Sequence, residues 1–149
     1  MLHYETGDLV NGDYPVFCHQ VNCKGVMGAG IAKQIKNKYP EVYKEYKDIC
    51  NNDKAILGVC HFTKTYDGRT CIDMFAQDGY GRDKCYTSYS AFRSCLRGIR
   101  HFLTYTNRNS VAFPFGIGCG LAGGDWNKIE EMIKELAVDF DVTIVKLEK

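Results

Sequence analysis

The chain has 149 residues, 45% hydrophobic and 25% charged, values that suit one globular domain with a sizeable core. Its 19 basic and 18 acidic side chains leave a formal charge of +1, which argues against gripping long nucleic acid by phosphate neutralisation. No apolar run is long enough for a membrane span, and no charged start followed by an apolar stretch marks a signal peptide.

Leu2–Tyr4 is a short apolar start, broken by Gly7-Asp8. Pro15–Val21 reads as a buried strand that ends at Asn22, and residues 25–30 form a glycine-rich turn. Ile31, Ala32 and Ile35 then recur at helical spacing, with Lys33, Lys36 and Lys38 on the wet side. Pro40 interrupts that helix, and a second short one is expected over Glu41–Asp48. Leu57–Thr65 and Thr70–Ala76 read as strands joined by a turn at Tyr66-Asp67-Gly68.

Residues 78–84 are loop by composition, after which Thr87 or Ser88 caps a long helix. The apolar face of that helix is Tyr89, Phe92, Leu96, Ile99 and Leu103. Ser110–Phe115 is a short strand running into a second glycine segment, residues 116–124. Asp125 can cap the next helix, which would bury Ile129, Met132, Ile133 and Leu136, and Val142–Leu147 closes the chain as a strand. Helices alternating with buried strands predict a single α/β domain over residues 1–149, its sheet covered on both faces.

Eight cysteines occur without any C-x-x-C pair or zinc-type spacing. Several, such as Cys18, Cys60, Cys71 and Cys95, interleave with apolar residues as buried thiols do. A reduced, cytoplasmic protein is therefore expected, with no metal and no cofactor required. Cys18, His19 and Cys23 could ligate an ion, but strand-end core thiols are the simpler reading.

Chemistry concentrates in two segments of one design: buried strand, glycines, helix. They span residues 16–36 and 111–135. A glycine turn at the carboxyl end of a strand exposes backbone N–H groups, and the following helix adds its positive end. One such loop is a candidate anion site; two make a candidate diphosphate clamp. Neither is a Walker A loop, and no G-x-G-x-x-G with a distant acid is present.

Four ordered motifs carry a resemblance. Gly7-Asp8-Leu9, His19–Asn22, Gly25–Ala32 and Pro114–Leu121 together resemble the macro domain family. The likeness is greatest to the branch holding the terminal ADP-ribose glycohydrolases and the ADP-ribose-1″-phosphate phosphatases. The resemblance implies a three-layer α/β/α sandwich with a mixed, mostly parallel sheet. It implies a ligand, ADP-ribose or an ADP-ribosylated macromolecule, in a cleft at the strand ends.

On that pattern Asp8 would meet the adenine amino group, Leu9 would pack beside it, and Asn22 would face the distal ribose. Val26, Met27, Gly28 and Ala29 would wrap one side of the diphosphate. Gly116, Ile117, Gly118, Cys119, Gly120 and Leu121 would wrap the other. The bland alternatives are an ordinary turn at Gly7-Asp8 and a strand-end cap at Asn22. Glycohydrolase relatives pair a loop lysine with an aspartate after the second glycine segment. Here Tyr80 and Ala122 fall at those positions, with Lys84 and Asp125 close by.

Two residues suit acid–base work without that pair. Asp125 could activate water, or simply cap its helix. His19 could act as acid or base if its side chain reaches the cleft mouth, or be structural. Tyr80 could stack on adenine or close over ribose, and Arg82 could meet a phosphate, or both could sit in an exposed turn. The expected activity is hydrolysis of an ADP-ribose conjugate, either the 1″-phosphate or an ester on a macromolecule. The alternative is a module that reads ADP-ribose without cleaving it. A monomer with no membrane and no extended nucleic-acid partner completes the expectation.

Overall fold

A computed structural model describes residues 1–81 and 83–147. Arg82, a candidate phosphate contact, lies outside the described residues. Among the described residues, six strands and four helices follow one another along the chain. They are β1 (Leu2–Gly7), β2 (Val16–Asn22), α1 (Gly30–Lys38), α2 (Pro40–Asn51), β3 (Cys60–Lys64), β4 (Thr70–Gln77), α3 (Tyr89–Tyr105), β5 (Ser110–Pro114), α4 (Trp126–Leu136) and β6 (Asp141–Leu147).

The strands form one sheet in the order β1-β6-β5-β2-β4-β3. Every pairing is parallel except β3 with β4, which the Tyr66–Gly68 turn joins as a hairpin. Parallel neighbours need crossovers, and the helices supply them. Helices α1 and α2 cover one face over Phe17, Val21, Ile35, Tyr39, Tyr46 and Phe75. Helices α3 and α4 cover the other over Ile72, Met74, Phe92, Ile99, Ile129 and Ile133. Burying one apolar side chain of this size contributes about 1.5–3 kcal/mol, so two full cores hold the sheet between layers. The expected sandwich is the one observed.

Several boundaries differ from the sequence reading: α2 runs over Pro40–Asn51 rather than Glu41–Asp48, and two strands differ for a physical reason. β3 begins at Cys60 rather than Leu57, because Ile56 and Leu57 lie in a turn and stay exposed. β1 extends to Gly7, well past the short apolar start. It is an edge strand with its middle four residues exposed, so no apolar alternation announces it.

The chain leaves β2 toward the α1/α2 face and leaves the adjacent β5 toward the α4 face. Such a divergence between neighbouring parallel strands opens a crevice at their carboxyl ends. Both glycine segments flank it.

Candidate functional site

The crevice is a cleft of about 910 Å³ running along the carboxyl edge of the sheet. At its β1/β6 end it is lined by Asp8, Leu9, Phe115, Val145 and Leu147. At its β2/β4 end it is lined by Gln20, Asn22, Gln77 and Tyr80. The two glycine segments face each other between these ends.

The first wall is the loop from Asn22 into α1. Tyr46, buried in α2, braces it from below: its hydroxyl accepts the amides of Gly25 and Val26, each at 3.1 Å, and donates to Asn22 at 2.7 Å. Asn22 Nδ2 donates to the Val26 carbonyl at 2.8 Å, and its Oδ1 accepts the Lys24 amide at 2.9 Å. The strand-end brace and a lining position thus coexist in one residue. A register irregularity between Val21 and Asn22 turns Asn22 toward α2 against strict alternation.

Helix α1 begins just beyond, and its N-cap is Ala29, which has no side-chain oxygen to offer. The amides of Gly28 and Ala29 have no acceptor among the described residues. Unpaired N–H groups at the positive end of a helix make an anion seat.

The second wall is residues 116–121. The amides of Gly118, Gly120 and Leu121 likewise have no acceptor among the described residues. Gly118 sits at φ +75°, and a Cβ there would lie 2.8 Å from Gln20 Oε1. Only glycine combines that backbone with that space. Beneath it, Gln20 Nε2 donates to Gln77 Oε1 (2.8 Å) and Thr87 Oγ1 (2.9 Å), while the Thr87 hydroxyl donates to the Gly118 carbonyl (2.6 Å). Gln20 Oε1 is buried without a partner among the described residues. Sequence reasoning missed Gln20 and Gln77, although a glutamine amid apolar strand residues beside Asn22 was a readable signal.

At the far end, Asp8 Oδ1 accepts the amides of Val10 and Asn11, both at 3.1 Å, and Oδ2 accepts Asn11 Nδ2 at 2.9 Å. The Asn11 side chain and backbone hold the carboxyl below its ordinary range, so the group is anionic near neutrality. Apolar Leu9, Val145 and Phe115 around a fixed carboxylate suit a flat aromatic base with an exocyclic amine.

Four expected site residues stand elsewhere. Cys18 packs in the α3/α4 core, so strand alternation turns His19 to the opposite face, under the helices rather than toward the cleft mouth. There His19 is fully buried, with Nε2 2.5 Å from Asp73 Oδ1, which is equally buried. The expected acid–base position of His19 is thereby corrected. Met27 has its side chain in the α1/α2 core and does not line the cleft, unlike Val26, Gly28 and Ala29.

Cys119 turns toward the α3/α4 core, and burial is the main cause that pushes its thiol up to about 11. Asp125 is the N-cap of α4: its Oδ1 accepts the Asn127 amide at 2.9 Å, and it does not line the cleft. Capping, not water activation, is what the geometry shows it doing. Ala122 does line the cleft, and its carbonyl accepts the Tyr86 amide at 2.7 Å.

His19, Cys71 and Asp73 bring three donor atoms within 4.8 Å of one another. The His19–Asp73 pair is already closed at hydrogen-bond distance, so no ion fits between those two atoms. Cys18 and Cys23 take no part: one faces the opposite core and the other sits half-buried beyond the strand.

Residues 18–133 match the macro domain family. An ADP-ribose 1″-phosphate phosphatase of Scheffersomyces stipitis is 39% identical, the match covering 97% of this chain and 100% of that protein. A DNA ADP-ribosyl glycohydrolase of Mycobacterium tuberculosis is 33% identical over 89% of this chain, but this chain covers only 38% of that protein. The macrodomain of Mycobacterium tuberculosis DarG superposes with a TM-score of 0.85 at 28% identity, covering 97% of each chain.

Proposed function

Because the chain belongs to the macro domain family, we propose that its cleft binds ADP-ribose and that it hydrolyses an ADP-ribose conjugate, either the 1″-phosphate or an ester on a macromolecule. The observation that carries this reading is the pair of facing walls: the uncapped N-terminus of α1 opposite the amides of Gly118, Gly120 and Leu121, which have no acceptor among the described residues. Together they offer neutral donors to a diphosphate from both sides, which a chain of charge +1 can do without a basic patch.

With the diphosphate clamped, adenine lies toward Asp8 and Leu9. The distal ribose then lies toward Asn22, Gln77 and Tyr80. Holding the ribose in one pose converts the attack of water at its anomeric carbon into a near-unimolecular step. The protein is taken to work as a cytoplasmic monomer with reduced thiols and without extended nucleic-acid binding. Among the described residues no helix is long and apolar enough to cross a membrane.

A second reading, a module that binds without turnover, is favoured by one observation. Asp8 is the single carboxylate among the described residues lining the cleft, and it stands at the adenine end. Calorimetric titration with ADP-ribose, with AMP and NAD as comparators, tests what both readings share. Micromolar binding of ADP-ribose, sharply weakened in Asp8→Ala, is expected; a folded sample that takes no ADP-ribose refutes both. Turnover of ADP-ribose-1″-phosphate or an ester-linked conjugate then separates hydrolase from reader.

A further inference from the structure

Arg69, one residue before β4, is buried, and its guanidinium serves the stretch of chain that carries Asp8 and Leu9. Nη2 donates to the Leu9 carbonyl at 2.8 Å, Nη1 to the Val10 carbonyl at 2.5 Å, and Nε to the Tyr14 carbonyl at 2.9 Å. Nη1 also donates to the Tyr39 hydroxyl at 2.8 Å, which donates in turn to Asp67 Oδ2 at 2.7 Å. The guanidinium carbon lies 4.1 Å over the Phe17 ring, which holds its plane. All the hydrogen-bond acceptors of this buried cation among the described residues are thus neutral oxygens. A buried charge without a carboxylate against it costs stability, so its placement is informative.

Two consecutive peptide units lie between Arg69 and the Asp8 carboxylate. In the unit joining Leu9 to Val10, the carbonyl faces Arg69 Nη2 and the amide donates to Asp8 Oδ1 at 3.1 Å. In the unit joining Val10 to Asn11, the carbonyl faces Arg69 Nη1, with Lys38 Nζ at 3.2 Å. The amide of that unit donates to the same Asp8 Oδ1, again at 3.1 Å. Both units are trans, so each presents its oxygen and its N–H on opposite sides. A cation on the oxygen side fixes the tilt of each plane and polarises each N–H toward the carboxylate beyond it.

We propose that Arg69 is a positioning residue for base recognition, aiming the Asp8 carboxylate at the exocyclic amine of the bound base through the two peptide units between them. The inference rests on the cleft assignment above, which gives that end to adenine. Arg69 does not itself line the cleft. Lysine is no substitute, since one ammonium lacks the fork that holds two carbonyls at a fixed spacing. The simpler role would be to tie the 9–14 segment to the β3–β4 hairpin. There the Arg69 amide donates to Thr65 Oγ1 at 2.9 Å, and the Arg69 carbonyl accepts the Thr65 amide at 2.8 Å. A tie alone would change stability and weaken every nucleotide alike. Positioning changes which base is preferred.

The test measures dissociation constants, by calorimetry, for ADP-ribose and for its hypoxanthine counterpart, in which a ring carbonyl replaces the amine. Wild-type protein is expected to prefer ADP-ribose by about thirtyfold, the scale of one hydrogen bond to a charged group. Arg69→Met keeps the bulk and removes every donor. It is expected to bring the preference below about threefold by weakening ADP-ribose. Arg69→Lys keeps a cation in place and is expected to fall between, at about tenfold. Carbon-13 NMR of the Asp8 carboxyl is expected to show its titration rising toward the ordinary range in both variants, as the amide donors loosen. A wild-type preference retained in Arg69→Met, with both ligands weakened together, overturns the proposal while the cleft assignment stands. Where Arg69→Met does not fold, the same result in Arg69→Lys overturns it. Wild-type protein that binds neither ligand, or binds both equally, is the separate result that would remove the cleft assignment itself.

Discussion

The two glycine segments look alike in the sequence and are built differently in the structure. Each follows a buried strand and precedes a helix. The first delivers the helix end itself to the cleft: Ala29 caps nothing, and the donors of α1 are left for a ligand. The second delivers only its loop. Its helix α4 is closed by Asp125, with Trp126 packed against Phe115 at 4.9 Å, and neither residue 125 nor 126 lines the cleft. Whether a helix N-terminus serves the fold or a ligand thus turns on one side chain at the N-cap. A residue that satisfies the donors retires the site, and one that cannot leaves it available.

The sharpest way to break this comparison is at the tightest point of the second loop. Gly118→Ala forces a side chain onto φ +75° and into Gln20 Oε1 at 2.8 Å. Strain and overpacking together should cost about 3 kcal/mol, roughly a 6–12 °C drop in melting temperature. In the first loop Gly30 also has positive φ, +56°, but a Cβ there meets nothing within 4 Å. Gly30→Ala should therefore cost only about 1 kcal/mol. Equal melting temperatures for the two variants would mean that the Gln20–Thr87 network does not hold the second wall.

The next effect falls on the ligand. Ala29→Asp supplies α1 with the cap it lacks, as Asp125 does for α4. It should stabilise the free protein by about 0.5–1 kcal/mol. It should also weaken ADP-ribose by about thirtyfold, since a carboxylate then occupies the donors and repels the diphosphate. Unchanged affinity in the calorimeter would show that α1 does not face the ligand's phosphates.

Most of this architecture was legible in the residues, for reasons that can be named. Phe92, Leu96, Ile99 and Leu103 announce α3 because its buried face repeats at helical spacing, and Ser88 caps it by accepting the Ala91 amide at 3.2 Å. The cleft loops were visible because glycines stand where strands end. What stayed hidden depended on partners distant in sequence. His19 is sequestered by Asp73, 54 residues away, and Gln20 becomes a strut only when Gln77 and Thr87 come beside it. Met27 and Cys119 sit inside loops that do line the cleft, yet each turns its side chain to the core. A motif locates a loop; it does not say which of its side chains point outward.

The smallest effect decides what Asp125 is for. If it only caps α4, then Asp125→Ala removes one acceptor for the Asn127 amide and should cost about 1 kcal/mol of stability, with ADP-ribose affinity and any turnover within about twofold of wild type. Asp125→Asn should restore the stability, because asparagine is as good an N-cap while carrying no charge. A carboxylate that activates water has the opposite signature: Asp125→Asn would keep the melting temperature and still lose about a hundredfold or more in kcat. The geometry favours the first outcome, since Asp125 Oδ1 is committed to its own helix and the residue stands outside the cleft lining. The second outcome would require the 122–125 segment to move inward when substrate binds. It would then make the two glycine segments alike in function after all, each giving a helix N-terminus to the ligand.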